Sequence, residues 1–265
     1  MKYKIGIVSA GRADTDGTWR KIRDDTGATI FVPPDEREEY QTLTGREVVG
    51  VKGTLCDTRN AIFEWAGRGN WVLMLDDDIQ KVGRFAVKNG MAKKQEMSWG
   101  SWLKELERLV SIARLAGIDT IGVALTPNAF YYHKPFNLHG FIMATVQLTR
   151  VTDLKFNTKY TTKEDYDYTM ASFRRDGAVL RADYLWQEAK HRTNAGGSKE
   201  YRSRELEEGV IEMMMKDWPG WVRRNPRRDR EVLLTLPQAS EEKMMAVERL
   251  TGRELKPRNG GRKKC

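Results

Sequence analysis

The stretch "NWVLMLDDDIQ", from Asn70 to Gln80, decides the fold class. Five mostly apolar residues, Trp71 to Leu75, are followed directly by three aspartates and then by Ile79. A short apolar run of this kind is typical of a buried strand. Acidic side chains flanked by buried residues need positive partners, because an isolated buried charge is strongly unfavourable. The stretch therefore predicts a buried strand whose carboxyl end carries a charged site.

Strands and helices alternate on the amino-terminal side of this stretch. The predicted strands are "YKIGIVSA", "ATIFVPP" and "REVVGVKG", and the predicted helices are "TWRKIRDD", "DEREEYQTLTG" and "DTRNAIFEWAGRG". The last helix is expected to start at an Asp or Thr cap and to bury Ala61, Ile62, Trp65 and Ala66. Such alternation predicts a mostly parallel sheet with helices on both faces.

The rest of the chain continues the α/β pattern and then becomes basic. A long helix is predicted in "MSWGSWLKELERLVSIARLAG", strands in "TIGVAL", "GFIMATVQLTR" and "AVLRADYLWQEA", and a helix in "TTKEDYDYTMASFRRDG". Residues 221–265 hold 13 basic and 6 acidic residues, a net +7 of the +9 carried by the whole chain. We expect an α/β domain over residues 1–215 and a basic extension over residues 216–265. This charge favours an anionic partner such as a nucleic acid.

Two cysteines and the absence of a long apolar segment indicate where the protein works. Cys56 and Cys265 are too few for a disulfide framework, which suits a reducing compartment. The first apolar run is far too short for a signal or membrane segment. The expectation is a soluble, cytoplasmic protein with no membrane partner.

The three aspartates are candidate metal ligands. Ligands of open parallel sheets bind beyond the carboxyl ends of the strands, and Mg²⁺ or Mn²⁺ prefers carboxylate oxygens and often binds phosphates jointly with the protein. In an extended chain Asp76 and Asp78 share one face and Asp77 points to the other. This favours a metal that holds a nucleotide diphosphate, and the alternative is a turn built from capping acids.

Three motifs resemble those of a known superfamily. The run "TRNAIFEWAGRGNWVLMLDDDI" resembles the core of GT-A fold glycosyltransferases, in which an Arg-Asn helix start precedes the strand with the Asp-x-Asp metal motif. "KEDYDYTM", with Glu164 and Asp165, is similar to their x-Glu-Asp motif, and "EAKHR" places His191 where such enzymes often have a metal-binding histidine. Together with "IVSAGRADTDGTW" and the basic end, these motifs most resemble the TET-associated glycosyltransferases of phages and bacteria, which are thought to glycosylate 5-hydroxymethylpyrimidines in DNA.

The resemblance implies a metal-dependent enzyme that uses a nucleotide sugar. Mn²⁺ or Mg²⁺ would be bound by Asp78 directly, by Asp76, and by the neutral imidazole of His191. Asp76 and Asp77 would also contact the donor, which is expected to be UDP-glucose or UDP-GlcNAc. His191 has a plain alternative, because it lies between Lys190 and Arg192 and can be an exposed surface histidine.

The second motif supplies the expected base. Asp165 is predicted to accept the proton of the acceptor hydroxyl, with Glu164 as its acceptor-binding neighbour. "KEDYD" can instead be an acid-rich first turn that complements a helix dipole. Arg12 and Arg59 are predicted diphosphate ligands, because guanidinium groups and helix N-termini both favour phosphate. Either arginine can instead form a surface ion pair.

The basic extension opens with a mixture of tryptophan and arginine. In "WPGWVRRNPRRDR", Trp218 and Trp221 are interleaved with Arg223, Arg224, Arg227, Arg228 and Arg230. The arginines are predicted to neutralise DNA phosphates and the tryptophans to stack on an extruded base. The alternative is a solvated tail without specific contacts.

The resulting hypothesis is transfer of a sugar from a UDP-sugar to 5-hydroxymethylcytosine in DNA, by a phage-encoded enzyme in the bacterial cytoplasm. A related enzyme acting on a protein, a lipid or a small molecule is the alternative. A nucleotidyltransferase is less favoured, because "SAGRADTDG" lacks the Gly-rich, Pro-Lys loop of those enzymes. A non-catalytic DNA-binding protein is disfavoured by the intact acids.

Overall fold

The computed structural model describes residues 2–190 and 203–255. In chain order the elements are β1 (Lys4–Val8), α1 (Thr18–Lys21), β2 (Thr29–Val32), α2 (Arg37–Thr44), β3 (Val48–Gly50), α3 (Leu55–Ala66), β4 (Trp71–Asp76), β5 (Ile79–Lys88), β6 (Met91–Glu96), α4 (Trp99–Ala116), β7 (Thr120–Ala124), β8 (Phe136–Asn137), β9 (Val146–Arg150), α5 (Glu164–Asp176), β10 (Leu180–Ala189), α6 (Arg204–Asp217), β11 (Val222–Arg224), β12 (Val232–Leu234) and α7 (Glu241–Thr251). Strands and helices alternate over the first half, as the sequence predicts.

One large sheet organises the molecule. Its strand order is β3-β2-β1-β4-β9-β7-β10-β5-β6, with β8 paired to β10. β1, β2, β3 and β4 are parallel neighbours, β9 lies antiparallel between β4 and β7, and β7 is parallel to β10. β1 to β4, β7 and β10 therefore run in one direction, and their carboxyl ends lie along one edge, called the carboxyl edge below. The predicted α/β fold with a mostly parallel sheet is confirmed.

The continuous apolar run of β4 follows from burial on both faces. Leu73 and Leu75 belong to the cluster that includes side chains of α4, whereas Val72 and Met74 pack with side chains of α3. Side chains of a strand alternate between the two faces of a sheet. Because helices cover both faces here, every position from Trp71 to Leu75 is buried.

Two details differ from the expectation. The start of α3 is three residues earlier than predicted, because Thr54 forms a capping box with Asp57. The hairpin of β5 and β6 is not among the predicted elements. Its signal is Asn89-Gly90, whose φ angles of 52° and 75° are those of the tight turn that this dipeptide favours.

The described part of residues 216–255 packs against the same core as the sheet. Trp218, Val232, Val247 and Leu255 are buried in the main hydrophobic cluster, and α7 packs against α4. The domain boundary at residues 215 and 216 stays a prediction, and this packing shows that α7 adds to the core. Among the described helices, none has the length and apolar character needed to cross a membrane.

Candidate active site

The three aspartates form a tight turn between β4 and β5, called the acid turn below (residues 76–78). Thr18, at the start of α1, holds this turn in place. Its Oγ1 donates to the carbonyl of Asp76 at 2.7 Å and accepts from the backbone N–H of Ile79 at 3.0 Å. Its own N–H donates to the carbonyl of Asp77 at 2.8 Å. The acids therefore occupy a fixed turn at the carboxyl edge, where the sequence analysis expects an extended chain.

Asp77 is buried and points away from solvent, whereas Asp76 and Asp78 are partly exposed. The sequence predicts the same difference between Asp77 and its two neighbours, but a turn produces it and not an extended chain. Ser9 Oγ donates to Asp77 Oδ2 and Arg12 Nη1 to Asp77 Oδ1, both at 2.5 Å. Burial raises the pKa of the Asp77 carboxyl to about 6, although the contacts with Ser9 and Arg12 act in the opposite direction. Arg12 is thus fixed beside the acid turn, and its role as a diphosphate ligand stays a prediction.

Arg59 joins the acid turn to the second acidic motif. Its side chain is buried, with 2 % of the residue exposed. Nη2 donates to Asp76 Oδ1 at 3.1 Å, and Nε lies 3.5 Å from Glu164 Oε1. Nη1 donates to the carbonyl of Ala144 at 3.3 Å. Burial lowers the pKa of the guanidinium, and the carboxylates of Asp76 and Glu164 outweigh this and raise it.

This position differs from one of the two predicted alternatives, the surface ion pair. Arg59 forms ion pairs, but they are buried and lie within the site. Its predicted contact with a diphosphate stays a prediction, and the geometry adds a positioning role between two motifs that are more than 80 residues apart in the chain.

Glu164 and Asp165 begin α5, as predicted. Asp165 Oδ1 accepts the N–H of Tyr166 at 3.0 Å, and Oδ2 accepts the N–H of Ala144 at 3.4 Å. The next residue, Thr145, accepts the N–H of Asp76 at 3.1 Å. The segment just before β9 therefore brings the acid turn and Asp165 into one site.

The environment of Asp165 suits a general base. Burial raises the pKa of the Asp165 carboxyl to about 7, and the neighbouring Glu164 adds to this, whereas Arg59 lowers it. A base whose pKa lies near the working pH combines a usable fraction of carboxylate with a strong tendency to take the proton. The arrangement can thus accept a proton from a hydroxyl near neutral pH.

The predicted metal ligands are Asp76, Asp78 and His191. Within residues 2–190 and 203–255, no three Asp, Glu, His or Cys side chains are grouped closely enough to hold an ion. His191 lies outside the described residues. Lys190, its neighbour in the sequence, donates its N–H to the carbonyl of Asp78 at 3.0 Å. Mg²⁺ and Mn²⁺ are commonly held by one or two carboxylates together with substrate phosphates and water, and the partly exposed Asp76 and Asp78 fit that mode.

The hairpin of β11 and β12, residues 222–234 and called the basic hairpin below, lies beside α5. Lys163 Nζ, at the start of α5, is 3.8 Å from Glu231 Oε2 of this hairpin. Arg224 is paired with Glu208 and Glu212, and Arg230 with Glu207 and Asp229. Arg223, Arg227 and Arg228 are exposed and form no ion pair within the part of the chain that the structure describes. With respect to the described residues, these three guanidinium groups are therefore candidates for binding anions.

Trp218 does not have the role suggested by its position among arginines. Its ring is buried, with 6 % of the residue exposed, and Nε1 donates to Asp167 Oδ1 at 2.8 Å. The Arg174 guanidinium lies 3.9 Å from the centroid of the indole ring. Because the indole is covered by its own protein, the suggestion that it stacks on an extruded base is wrong.

Comparisons with known proteins find a family and solved structures that this chain resembles. A family model described as TET-Associated Glycosyltransferase matches residues 3–197, more than half of the chain. Among the solved structures that match is the crystal structure of S. aureus TarS 1–349, with a TM-score of 0.41 and 11 % sequence identity. That match covers 80 % of this chain and 65 % of the TarS chain, so this chain spans just under two thirds of that relative. No curated protein matches in sequence.

The family match covers β1 to β10 and the grouped carboxylates at the carboxyl edge, and it places the chain in a family of glycosyltransferases. The chain belongs to the TET-associated glycosyltransferase family.

Proposed function

We propose that this protein transfers a sugar from a UDP-sugar to the hydroxyl of a 5-hydroxymethylpyrimidine in DNA, with 5-hydroxymethylcytosine as the first candidate. The observation that carries the proposal is the position of Arg59 between Asp76 and Glu164. It brings the acids expected at the leaving diphosphate and the acid expected at the acceptor hydroxyl into a single site. One site with both groups has the parts that glycosyl transfer requires.

Asp165 performs the proton transfer in the proposed mechanism. The acceptor oxygen forms a bond to the anomeric carbon of the sugar while the bond from that carbon to the diphosphate breaks. The proton of the hydroxyl passes to the Asp165 carboxylate, and the bonding electrons leave with the diphosphate. The N–H groups of Ala144 and Tyr166 fix the carboxylate for this step, and Glu164 binds the acceptor beside it.

The donor is held at the acid turn. Arg12, fixed by Asp77, binds the diphosphate through the charge-assisted hydrogen bonds that guanidinium groups make with phosphate oxygens. Asp76 and Asp78, with His191 as a further candidate ligand, would hold Mn²⁺ or Mg²⁺. A bound divalent ion acts as a Lewis acid that stabilises the charge on a leaving diphosphate.

DNA is the favoured acceptor because arginine side chains lie near Asp165, the proposed general base. Arg227 and Arg228 are exposed on the basic hairpin, and Arg228 is close enough to Tyr166, the neighbour of Asp165, to influence its pKa. Guanidinium groups next to a catalytic carboxylate would hold the phosphates that flank a modified base. A neutral sugar or lipid acceptor has no phosphate groups for these guanidinium groups to bind.

The decisive experiment is mass spectrometry of nucleosides from DNA that contains 5-hydroxymethylcytosine, after incubation with the protein, Mn²⁺ and a panel of UDP-sugars. We expect the modified nucleoside to gain the mass of one sugar, with a single preferred donor. Unmodified DNA of the same sequence is the control and should gain none. If the sugar is instead released as free sugar with every DNA tested, the acceptor is not a hydroxymethylated base.

Removal of one predicted metal ligand tests the acid turn. Asp78→Ala is expected to abolish the Mn²⁺-dependent part of UDP-sugar binding in calorimetry, because one carboxylate ligand of the ion is lost. Thermal unfolding without metal should be nearly unchanged. The control is Asp25→Ala, which removes an exposed acid that pairs with Arg23, before β2 and away from the acid turn. Parent affinity in Asp78→Ala would refute the metal assignment.

The basic hairpin gives a second prediction. For Arg227→Ala with Arg228→Ala, the affinity for duplex DNA should fall, and the slope of log affinity against log salt should become shallower by about 0.9 per lost phosphate contact. Slow hydrolysis of the UDP-sugar without acceptor should continue at the parent rate. The matched control is Arg68→Ala with Arg114→Ala, which removes the same charge just before β4 and at the end of α4. An equal loss in both double variants would mean that only total charge matters.

A further inference from the structure

A stacked pair of aromatic rings lies next to Asp165. The rings of Phe141 and Tyr166 are 4.0 Å apart between centroids, with 19° between their planes. Both residues are only partly buried, so part of the pair faces solvent. Tyr166 follows Asp165 directly and donates its N–H to that carboxylate. The pair therefore borders the group that receives the proton of the acceptor.

The backbone around the pair is held firmly. Arg181 Nη1 donates to the carbonyl of Phe141 at 3.0 Å. Thr169, one turn further along α5, accepts the N–H of Ile142 at 3.2 Å. These bonds join the segment before β9 to β10 and to α5. The two rings are thus parts of a preformed surface, and binding a ligand there does not require them to be ordered first.

Two carboxylates and one guanidinium group lie near the Tyr166 ring. Burial and the nearby carboxylates of Asp165 and Glu231 raise the pKa of the Tyr166 phenol, and the Arg228 guanidinium acts in the opposite direction. Arg228 belongs to the basic hairpin, where it is exposed. The basic hairpin also approaches the start of α5 through Glu231, whose Oε2 lies 3.8 Å from Lys163 Nζ, so Arg228 belongs to an element next to the aromatic pair.

We infer that Phe141 and Tyr166 form a stacking platform for the pyrimidine ring of an extruded nucleotide, with Arg228 at the phosphate beside it. A 5-hydroxymethyl group places its oxygen two bonds from the ring, and a general base acts only within hydrogen-bonding distance of that oxygen. The ring must therefore lie within a few ångströms of Asp165. Inside a duplex this position points into the major groove, and enzymes that modify bases commonly extrude the target into a pocket.

The inference rests on the proposed function and replaces the role that the sequence suggests for Trp218. Stacking of a base on an aromatic side chain contributes a sequence-tolerant part of single-strand binding, worth about tenfold or more in affinity. A platform of this kind selects a flat ring, and Asp165 then selects a ring with a hydroxyl at the right position.

The test compares two single-stranded oligonucleotides that differ at one position. One carries 5-hydroxymethylcytosine and the other an abasic tetrahydrofuran, so the number of phosphates is the same and the contribution of the basic hairpin cancels. By fluorescence anisotropy the parent protein is expected to prefer the first by about tenfold. Tyr166→Ala and Phe141→Ala should reduce this preference to near one, whereas Tyr166→Phe should retain it.

Controls separate the platform from folding and from the proposed function. Thermal unfolding of each variant checks that it is folded, and Tyr166→Leu with Phe141→Leu repeats the test with apolar volume kept. Tyr131→Ala removes an aromatic ring that is 63 % exposed and should leave the preference intact. Loss in Tyr131→Ala, or an unchanged preference in Tyr166→Ala, overturns the platform. If the parent fails to glycosylate hydroxymethylated DNA at all, the proposed function fails first.

Discussion

Asp165→Asn is expected to lower kcat by about 10²-fold or more, with binding of the UDP-sugar unchanged. The amide keeps the shape of the carboxyl group, but its single oxygen can accept only one of the N–H groups of Ala144 and Tyr166, which bond to different oxygens of the carboxylate. It cannot take a proton from the acceptor, and a positioned base contributes about 10²- to 10⁴-fold. Single-turnover measurements of sugar transfer, with donor affinity from calorimetry, separate these effects.

The pH dependence gives a second measurement for the same residue. The Asp165 carboxyl must be deprotonated to act as a base, and its pKa is raised to about 7, chiefly by burial and then by Glu164. The value of kcat should therefore rise as the pH increases through about 7 and become constant above it. In Asp165→Asn this dependence should disappear from the small remaining activity.

Asp167→Asn is the matched control. It makes the same chemical change on the same helix, at a buried acid that accepts a hydrogen bond from the Trp218 indole. The amide oxygen can still accept that bond, so activity should stay within a few-fold of the parent. If Asp165→Asn behaves in the same way, Asp165 is not the base, and Glu164 becomes the candidate.

The sequence predicts those parts of the fold that depend on local patterns. The apolar run before the acid turn predicts β4, and the Glu164-Asp165 start of α5 is marked by acids in the first turn and by Gly177 at the end. The order of strands and helices predicts the parallel part of the sheet. Each of these signals lies within about 20 residues of the element that it specifies.

The contacts that complete the site are not local. Thr18 forms a hydrogen bond with the acid turn, 58 residues away in the sequence. No sequence pattern around Thr18 predicts this contact. Arg59 is a different case, because a signal exists. It lies three and seven residues before the buried Ile62 and Ala66, which places it on the apolar face of α3, where a charged residue needs a buried partner.

Trp218 shows a limit of interpretation from composition. A tryptophan among arginines suggests an exposed stacking residue, but its spacing from the buried Val210, Ile211 and Met214 is that of the apolar face of α6. Helical periodicity gives the correct answer here. The distinction between an exposed and a buried ring depends on Asp167 and Arg174, which the chain brings to Trp218 from α5.

Arg59→Met is expected to affect stability and catalysis together. The variant leaves the carboxylates of Asp76 and Glu164 without the guanidinium that lies between them. Removing one partner of a buried ion pair costs about 3–5 kcal/mol in the free energy of unfolding. We expect the lower end of this range, because the Asp76 side chain is 31 % exposed and water can compensate part of the loss. Urea unfolding measures the change.

Arg46→Met is the control for the loss of a buried arginine as such. The Arg46 side chain is 7 % exposed and donates to the carbonyls of Trp19 and Ile22 and to Asp24. This variant should also lose stability, but it contacts neither the acid turn nor the start of α5. Its kcat and the pH dependence of kcat should therefore match those of the parent.

The pH profile distinguishes a positioning role from a purely structural one. In the parent, the Arg59 guanidinium lowers the pKa of Asp165 against the effects of burial and of Glu164. Without that positive charge the pKa of Asp165 rises further, so the increase of kcat in Arg59→Met should move to higher pH. Arg59→Lys keeps a charge but cannot reach Asp76, Glu164 and the Ala144 carbonyl at once. The pH profile of its kcat should therefore lie between those of the parent and of Arg59→Met. If stability falls while the profile stays at the parent pH, Arg59 supports the fold alone, and the link between the two acidic motifs has no part in catalysis.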